Sequence, residues 1–109
     1  MENNHVKRIG LIRRKPSLTH EAFVSHWLNV HAPMARSLPG LRRYCVNFVD
    51  RDRFPKFGYD GFSELWFDSE ADLVKAFESP QGVALLADLA NFTEEIYPLV
   101  VQERRQVWP

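Results

Sequence analysis

Three of the four strand-like runs in this 109-residue chain carry large apolar residues on both faces. Ile9-Gly10-Leu11-Ile12 and Leu99-Val100-Val101 show no polar side. In a third run Phe62, Glu64 and Trp66 alternate with Gly61, Ser63, Leu65 and Phe67, so it too is greasy on each side. A sheet of such strands has two surfaces to cover, but a chain this long holds only one modest core. Helices can cover one face. The other calls for face-to-face pairing of two sheets in a symmetric dimer.

The order of elements narrows the fold further. Residues 6–14 read as a strand, broken by Lys15-Pro16-Ser17. Thr19 is a good N-cap for a helix from about His20 to His31, and a further turn after Pro33 carries Met34 and Leu38 before Pro39-Gly40. From Leu41 to about Asp50 the period is two, with Tyr44, Val46 and Phe48 facing away from Arg43, Cys45 and Asn47. A charged loop broken by Pro55 and Gly58 follows, its Phe54 and Phe57 suited to a pocket mouth or a sheet edge. Tyr59 to Phe67 is the third strand. Ser69, with Asp72 three residues on, caps a helix through Phe77, and Pro80 opens a second segment ending near Ala90. Ile96 to about Val107 is the last strand. Strand, helix, strand, strand, helix, strand is the α+β, ferredoxin-like βαββαβ sandwich, here a single domain over residues 1–109.

Composition excludes several functions. Fourteen basic side chains balance fourteen acidic ones, which argues against a nucleic-acid partner. Arg13-Arg14-Lys15, Arg42-Arg43 and Arg104-Arg105 read as solvated strand ends. One cysteine, Cys45, leaves no internal disulfide and suits a reducing compartment. Met1 to His5 shows no apolar signal core, and no run approaches the ~20 apolar residues of a membrane span. A cytoplasmic, membrane-free protein is expected.

His31 is the candidate for chemistry. On an ideal wheel Phe23, Trp27, Val30 and Met34 lie within roughly 40° of one line, with His26 about 60° to one side and His31 about 80° to the other. Both imidazoles then border the apolar face, and either is placed to reach a pocket. Pro33 denies the carbonyl of Asn29 its hydrogen bond beside His31. A helix-terminal histidine also caps free carbonyls, so packing competes with catalysis. Five residues apart, the two histidines sit about 140° around the helix and do not form an i,i+4 metal pair. No phosphate loop or nucleophile elbow is present, so no metal or cofactor is expected.

These residues resemble the EthD-type family within the dimeric α/β-barrel superfamily. The resemblance rests on Leu11 to Pro16 leading into Leu18 to Phe23, on Trp27 through His31-Ala32-Pro33, and on Leu38 to Tyr44, Tyr59 to Ser69 and Ser79-Pro80. Relatives include methylmuconolactone isomerases, polyketide cyclases and dehydratases, and a protein of ether degradation; haem-degrading and quinol-oxidising monooxygenases share the superfamily. The resemblance implies a dimeric barrel and a cofactor-free pocket between sheet and helices, with the family's helix histidine falling on His31. Plant-type polyketide cyclases have a second histidine where this chain has Gln81-Gly82.

With His31 in a pocket, strand parity selects its companions: Arg8, Gly10 and Ile12; Tyr44, Val46 and Phe48; Gly61, Ser63, Leu65 and Phe67. Gly10 and Gly61 remove volume from the floor or relieve strand twist. Arg8, Ile12, Trp27, Tyr44, Phe48, Ser63 and Leu65 are the expected substrate contacts. A neutral imidazole can abstract a proton α to a carbonyl and return it elsewhere, while Tyr44, Ser63 or Arg8 steadies the enolate oxygen. Glu64, on the opposite face, is expected in an ion pair at the dimer interface. The leading expectation is a cofactor-free acid–base enzyme for a small hydrophobic carbonyl compound, a lactone isomerase or polyketide cyclase or dehydratase. The alternatives are a haem- or quinol-type monooxygenase and a non-catalytic carrier of a hydrophobic metabolite.

Overall fold

The computed structural model describes residues 5–109; Met1 to Asn4, most of the stretch read above for an export signal, lie outside the described residues. Four strands, β1 (Val6–Arg14), β2 (Arg43–Phe48), β3 (Gly61–Phe67) and β4 (Thr93–Gln102), form one sheet in the order β2-β3-β1-β4. Every neighbouring pair is antiparallel. The helices are α1 (His20–His26), α2 (Ala32–Arg36), α3 (Glu70–Glu78) and α4 (Pro80–Phe92), with a π-helical turn, Trp27–His31, joining α1 to α2. This is the expected α+β, ferredoxin-like arrangement. No helix among the described residues is long and apolar enough to cross a membrane.

Local chemistry sets the boundaries. Thr19 Oγ1 accepts the Ala22 N–H at 3.0 Å, and Ser69 Oγ accepts that of Asp72 at 3.1 Å, as side-chain caps do. Ser79 serves two helices: its hydroxyl donates to Ala76 O as α3 ends and accepts the Gly82 N–H as α4 begins. Gly40, at φ +78°, makes the left-handed turn into β2. The last strand begins earlier than expected, because α4 runs on to Phe92 and Thr93 turns directly into the sheet while donating to Leu89 O at 2.7 Å. It also stops earlier. Gln102 pairs with Val6, the first residue of β1, and the ladder ends there among the described residues.

The register confirms the strand parity. Gly10 faces Ser63 and Pro98, Ile12 faces Gly61 and Ile96, and Tyr44 faces Leu65. The helix-covered side divides into two apolar cores. One gathers Val6, Ala35, Leu38, Leu65, Phe67, Leu73, Ala76 and Leu85. The other gathers Ile12, Phe23, Trp27, Leu89 and Phe92. Gly61 is required by the second: a Cβ there would lie 2.3 Å from Asn47 O and 2.9 Å from the Trp27 ring.

The charged residues meet the expectations unevenly. Arg13, Arg14 and Lys15 are not simply solvated. Arg13 bonds Glu95 at 2.7 Å and Gly58 O at 2.9 Å, Arg14 donates to Leu18 O, and Lys15 donates to Ala90 O, so they tie loops to the sheet end. Arg42, by contrast, is solvated as expected, exposed in a surface ion pair with Asp68 at 2.7 Å. Glu64 is in an ion pair on the outer face as expected, formed within the chain: Lys7 Nζ is 3.1 Å away and Asn47 Nδ2 donates to it at 3.0 Å, both from adjacent strands of the same sheet. Phe57 packs edge-on against Tyr59, and both loop phenylalanines stay exposed.

Candidate active site

The π turn decides which histidine goes inside. Ala32 donates its N–H to Trp27 O five residues back, so the chain takes one extra residue in that turn. Pro33 sits at the start of α2 and offers no N–H to the turn behind it, and the wider hydrogen bond accommodates that gap. The ideal wheel therefore fails here. Val30, placed on the apolar line, is 45% exposed, while His31, placed at the rim, is only 6% exposed. The same extra residue closes the supposed 140° gap, and His26 and His31 converge on one carboxylate.

That carboxylate is Asp88 on α4. Its Oδ2 lies 2.9 Å from His31 Nδ1, and His26 Nε2 is 3.0 Å from each of its oxygens. Asn91 donates to Oδ1 at 2.9 Å. A carboxylate only accepts, so His31 Nδ1 carries the proton and Nε2 keeps the lone pair. Both imidazole rings pack on Phe92, one turn further along α4, at 4.8 and 4.7 Å between centroids. Burial would raise the Asp88 pKa, but hydrogen bonds from Asn91, His31 and His26 outweigh it and hold the group below the usual carboxylate range. Burial dominates at His31 and pulls its pKa below the ordinary 6.5 despite Asp88. His31 is thus neutral at pH 7, with a fixed tautomer.

Sequence reasoning missed Asp88. The signal was there: Leu85, Asp88, Leu89 and Phe92 share the i, i+3, i+4, i+7 spacing of a buried stripe, and one of the four is an acid.

His31 lines a cavity at the seam between the two cores, together with Arg8, Ile12, Tyr44, Ser63 and Leu65. Five of the seven expected substrate contacts are therefore beside it; two are not. Trp27 is fully buried inside the second core, pressed on Gly61. Phe48 is 43% exposed at the far end of β2, edge-on to Trp27, and lines an open cleft with Arg14, His20 and Asp60 instead. The cavity is also much smaller than a substrate site: about 20 Å³, enough for one water. Anything larger enters by displacing side chains such as Leu86, which is exposed, and Phe77. The open cleft, about 670 Å³, holds no buried histidine; its buried Asp60 accepts from the Arg14 N–H and from Arg51 through one oxygen, Oδ2.

Comparison with known proteins agrees with the architecture. Residues 15–96 match the EthD domain family. An uncharacterized 11.0 kDa protein from the thcB-thcC intergenic region of Rhodococcus erythropolis is 30% identical over 103 residues, 94% of this chain and 98% of that one. Among solved structures, an EthD family protein from Bacillus halodurans superimposes with a TM-score of 0.80 at 27% identity, over 92% of this chain and 99% of its own. A hydroxynitrile lyase from Passiflora edulis gives 0.78 at 17%, over 99% and 100%. A dimeric ferredoxin-like protein from Thermobifida fusca gives 0.75 at 17%, over 94% and 93%. With the family match spanning most of the sequence and a full-length relative beside it, the chain belongs to the EthD domain family.

Proposed function

We propose that this protein is a cofactor-free acid–base catalyst for a small hydrophobic carbonyl compound, with His31 as the base. One observation carries the reading: a buried, neutral imidazole whose Nδ1–H is bound to Asp88, leaving Nε2 as acceptor beside a cavity. Proton abstraction α to a carbonyl, followed by return of the proton elsewhere, covers isomerisation, cyclisation and dehydration. Arg8, Tyr44 and Ser63 line the same cavity and supply the donors an enolate oxygen needs. Passiflora edulis hydroxynitrile lyase, of similar fold, is in keeping with lyase chemistry on this scaffold. The reading includes a homodimer through the outer sheet face, where Tyr97 and Leu99 are exposed, and a cytoplasmic location.

Deuterium exchange tests it without knowledge of the natural substrate. A panel of unsaturated lactones and aromatic ketones is incubated with the protein in D2O, and loss of α-proton signals is followed by NMR. Enzyme-dependent exchange with at least one compound, falling about 10²–10⁴-fold in His31→Ala, is expected for loss of a general base. Equal exchange by the variant removes His31 from the chemistry. Tight binding without exchange or product would instead make the protein a carrier, and oxygen uptake or a haem absorption band would make it an oxidase-type relative.

A further inference from the structure

The cavity beside His31 contains a cation and a phenol that the fold leaves unmatched. Arg8 is half-buried on β1, its guanidinium 4.6 Å from the centre of the Phe77 ring. Among the described residues no carboxylate lies within ion-pair distance of it. Its cross-strand neighbours are Leu65 and Val100, which offer no charge. Asp88 has its oxygens taken by His26, His31 and Asn91. The Tyr44 hydroxyl is buried and makes no hydrogen bond of regular geometry. The Trp27 indole N–H, also unpaired, is its neighbour on the core side and leaves the hydroxyl proton free to donate. Ser63 Oγ and Arg8 Nη1 both border the place where Gly10 lacks a side chain, 3.0 and 3.4 Å from where a Cβ would stand.

Partly desolvated guanidinium groups are normally paired, and buried hydroxyls normally bonded. Here several donors converge in walls made of Ile12, Leu65, Leu85 and Leu89. An acceptor-only group of opposite charge completes such a set, and one cation among apolar walls balances a single negative charge. A carboxylate meets both conditions; a phosphate dianion does not.

We infer that the substrate is a small hydrophobic carboxylate, held at its anionic end by Arg8 and Tyr44 with its reacting carbon toward His31 Nε2. The inference rests on His31 as the base and names the compounds that base acts on.

Benzoate and benzamide, near-equal in shape and different in charge, provide the test by titration calorimetry. Benzoate is expected to bind the wild-type protein at least about tenfold more tightly than benzamide. Arg8→Met should erase the preference, and Arg8→Lys should retain part of it. Equal affinities, no measurable benzoate binding to the wild-type protein, or benzoate binding untouched by Arg8→Met would each overturn the anion site. Proton exchange that survives His31→Ala while benzoate selectivity still depends on Arg8 would remove the base and leave the anion site standing.

Discussion

Lys7 and Arg8 are consecutive on β1, point to opposite faces of the sheet, and meet opposite surroundings. Lys7 has Glu64 at 3.1 Å and Glu103 at 3.6 Å, with Asn47 and the Trp66 indole completing the carboxylates' bonds. Arg8, one residue on and facing the helices, has an aromatic ring and, among the described residues, no carboxylate. The sheet thus satisfies its charges on the outer side, where apolar neighbours make an unpaired charge costly, and leaves one unsatisfied on the inner side. Chance exposure does not account for it, since Arg8 lies in the same cavity as His31 and an orphaned phenol. Unmet polar groups cluster where a ligand is wanted.

The largest expected effect comes from the carboxylate behind the base. Asp88→Asn preserves shape but offers both a donor and an acceptor, so the His31 tautomer is no longer fixed. Proton exchange should fall by roughly 10²–10⁴, as when the orienting acid of a catalytic histidine is lost. Far-UV circular dichroism should be unchanged. A variant with wild-type exchange would reduce Asp88 to packing.

How much of this was legible from the residues alone follows the same divide between regular and irregular backbone. Strand parity is a period of two and survives small boundary errors, so Arg8, Ile12, Tyr44, Ser63 and Leu65 were placed on the correct face. Helix parity failed at Trp27–His31, where one extra residue per turn rotates everything after it. A wheel drawn at 100° per residue has no way to include that rotation. Pro33 announced a disturbance there but not its form. Asp88 was hidden by a different habit, that of counting only apolar residues in a stripe. Phe48 was misplaced because a shared face is not a shared site: it lies four residues along β2 from Tyr44 and reaches the open cleft.

Next in size is a paired comparison that could break the contrast outright. Lys7→Met leaves Glu64 and Glu103 without their shared cation on a largely covered surface, and should cost about 1–3 kcal/mol in urea unfolding. Arg8→Met removes a charge with no carboxylate partner among the described residues and should be neutral or stabilising. Similar losses for both would mean Arg8 has a partner after all.

Acid should weaken the fold through the same site. His31 has its pKa lowered on folding, so the folded state binds fewer protons and its contribution is complete above 6.5. That stability is lost as pH falls below 6.5, and Asp88, also lowered on folding, adds a second loss below 3.8. The melting temperature should therefore drop on acidification from pH 7 to 5, and less so in His31→Gln. Exchange activity should fall over a lower part of that range, because the base is disabled only when the folded protein takes up its proton.

Gly10→Ala is the subtlest case and bears directly on the cavity. Gly10 does not have a positive φ, so alanine fits the backbone and should gain a few tenths of a kcal/mol from a stiffer unfolded chain. Against this, its Cβ would stand 3.0 Å from Ser63 Oγ and 3.4 Å from Arg8 Nη1. Ser63 is buried and central in β3, so the strain falls on its rotamer and on the guanidinium. Net stability should move by less than about 1 kcal/mol in either direction. Benzoate affinity should fall more than stability does, because the two groups displaced are the ones that border the anion. Adding Ser63→Ala should recover the strain energy but not the affinity. Recovery of both would mean that Ser63 obstructs the cavity and gives the ligand nothing.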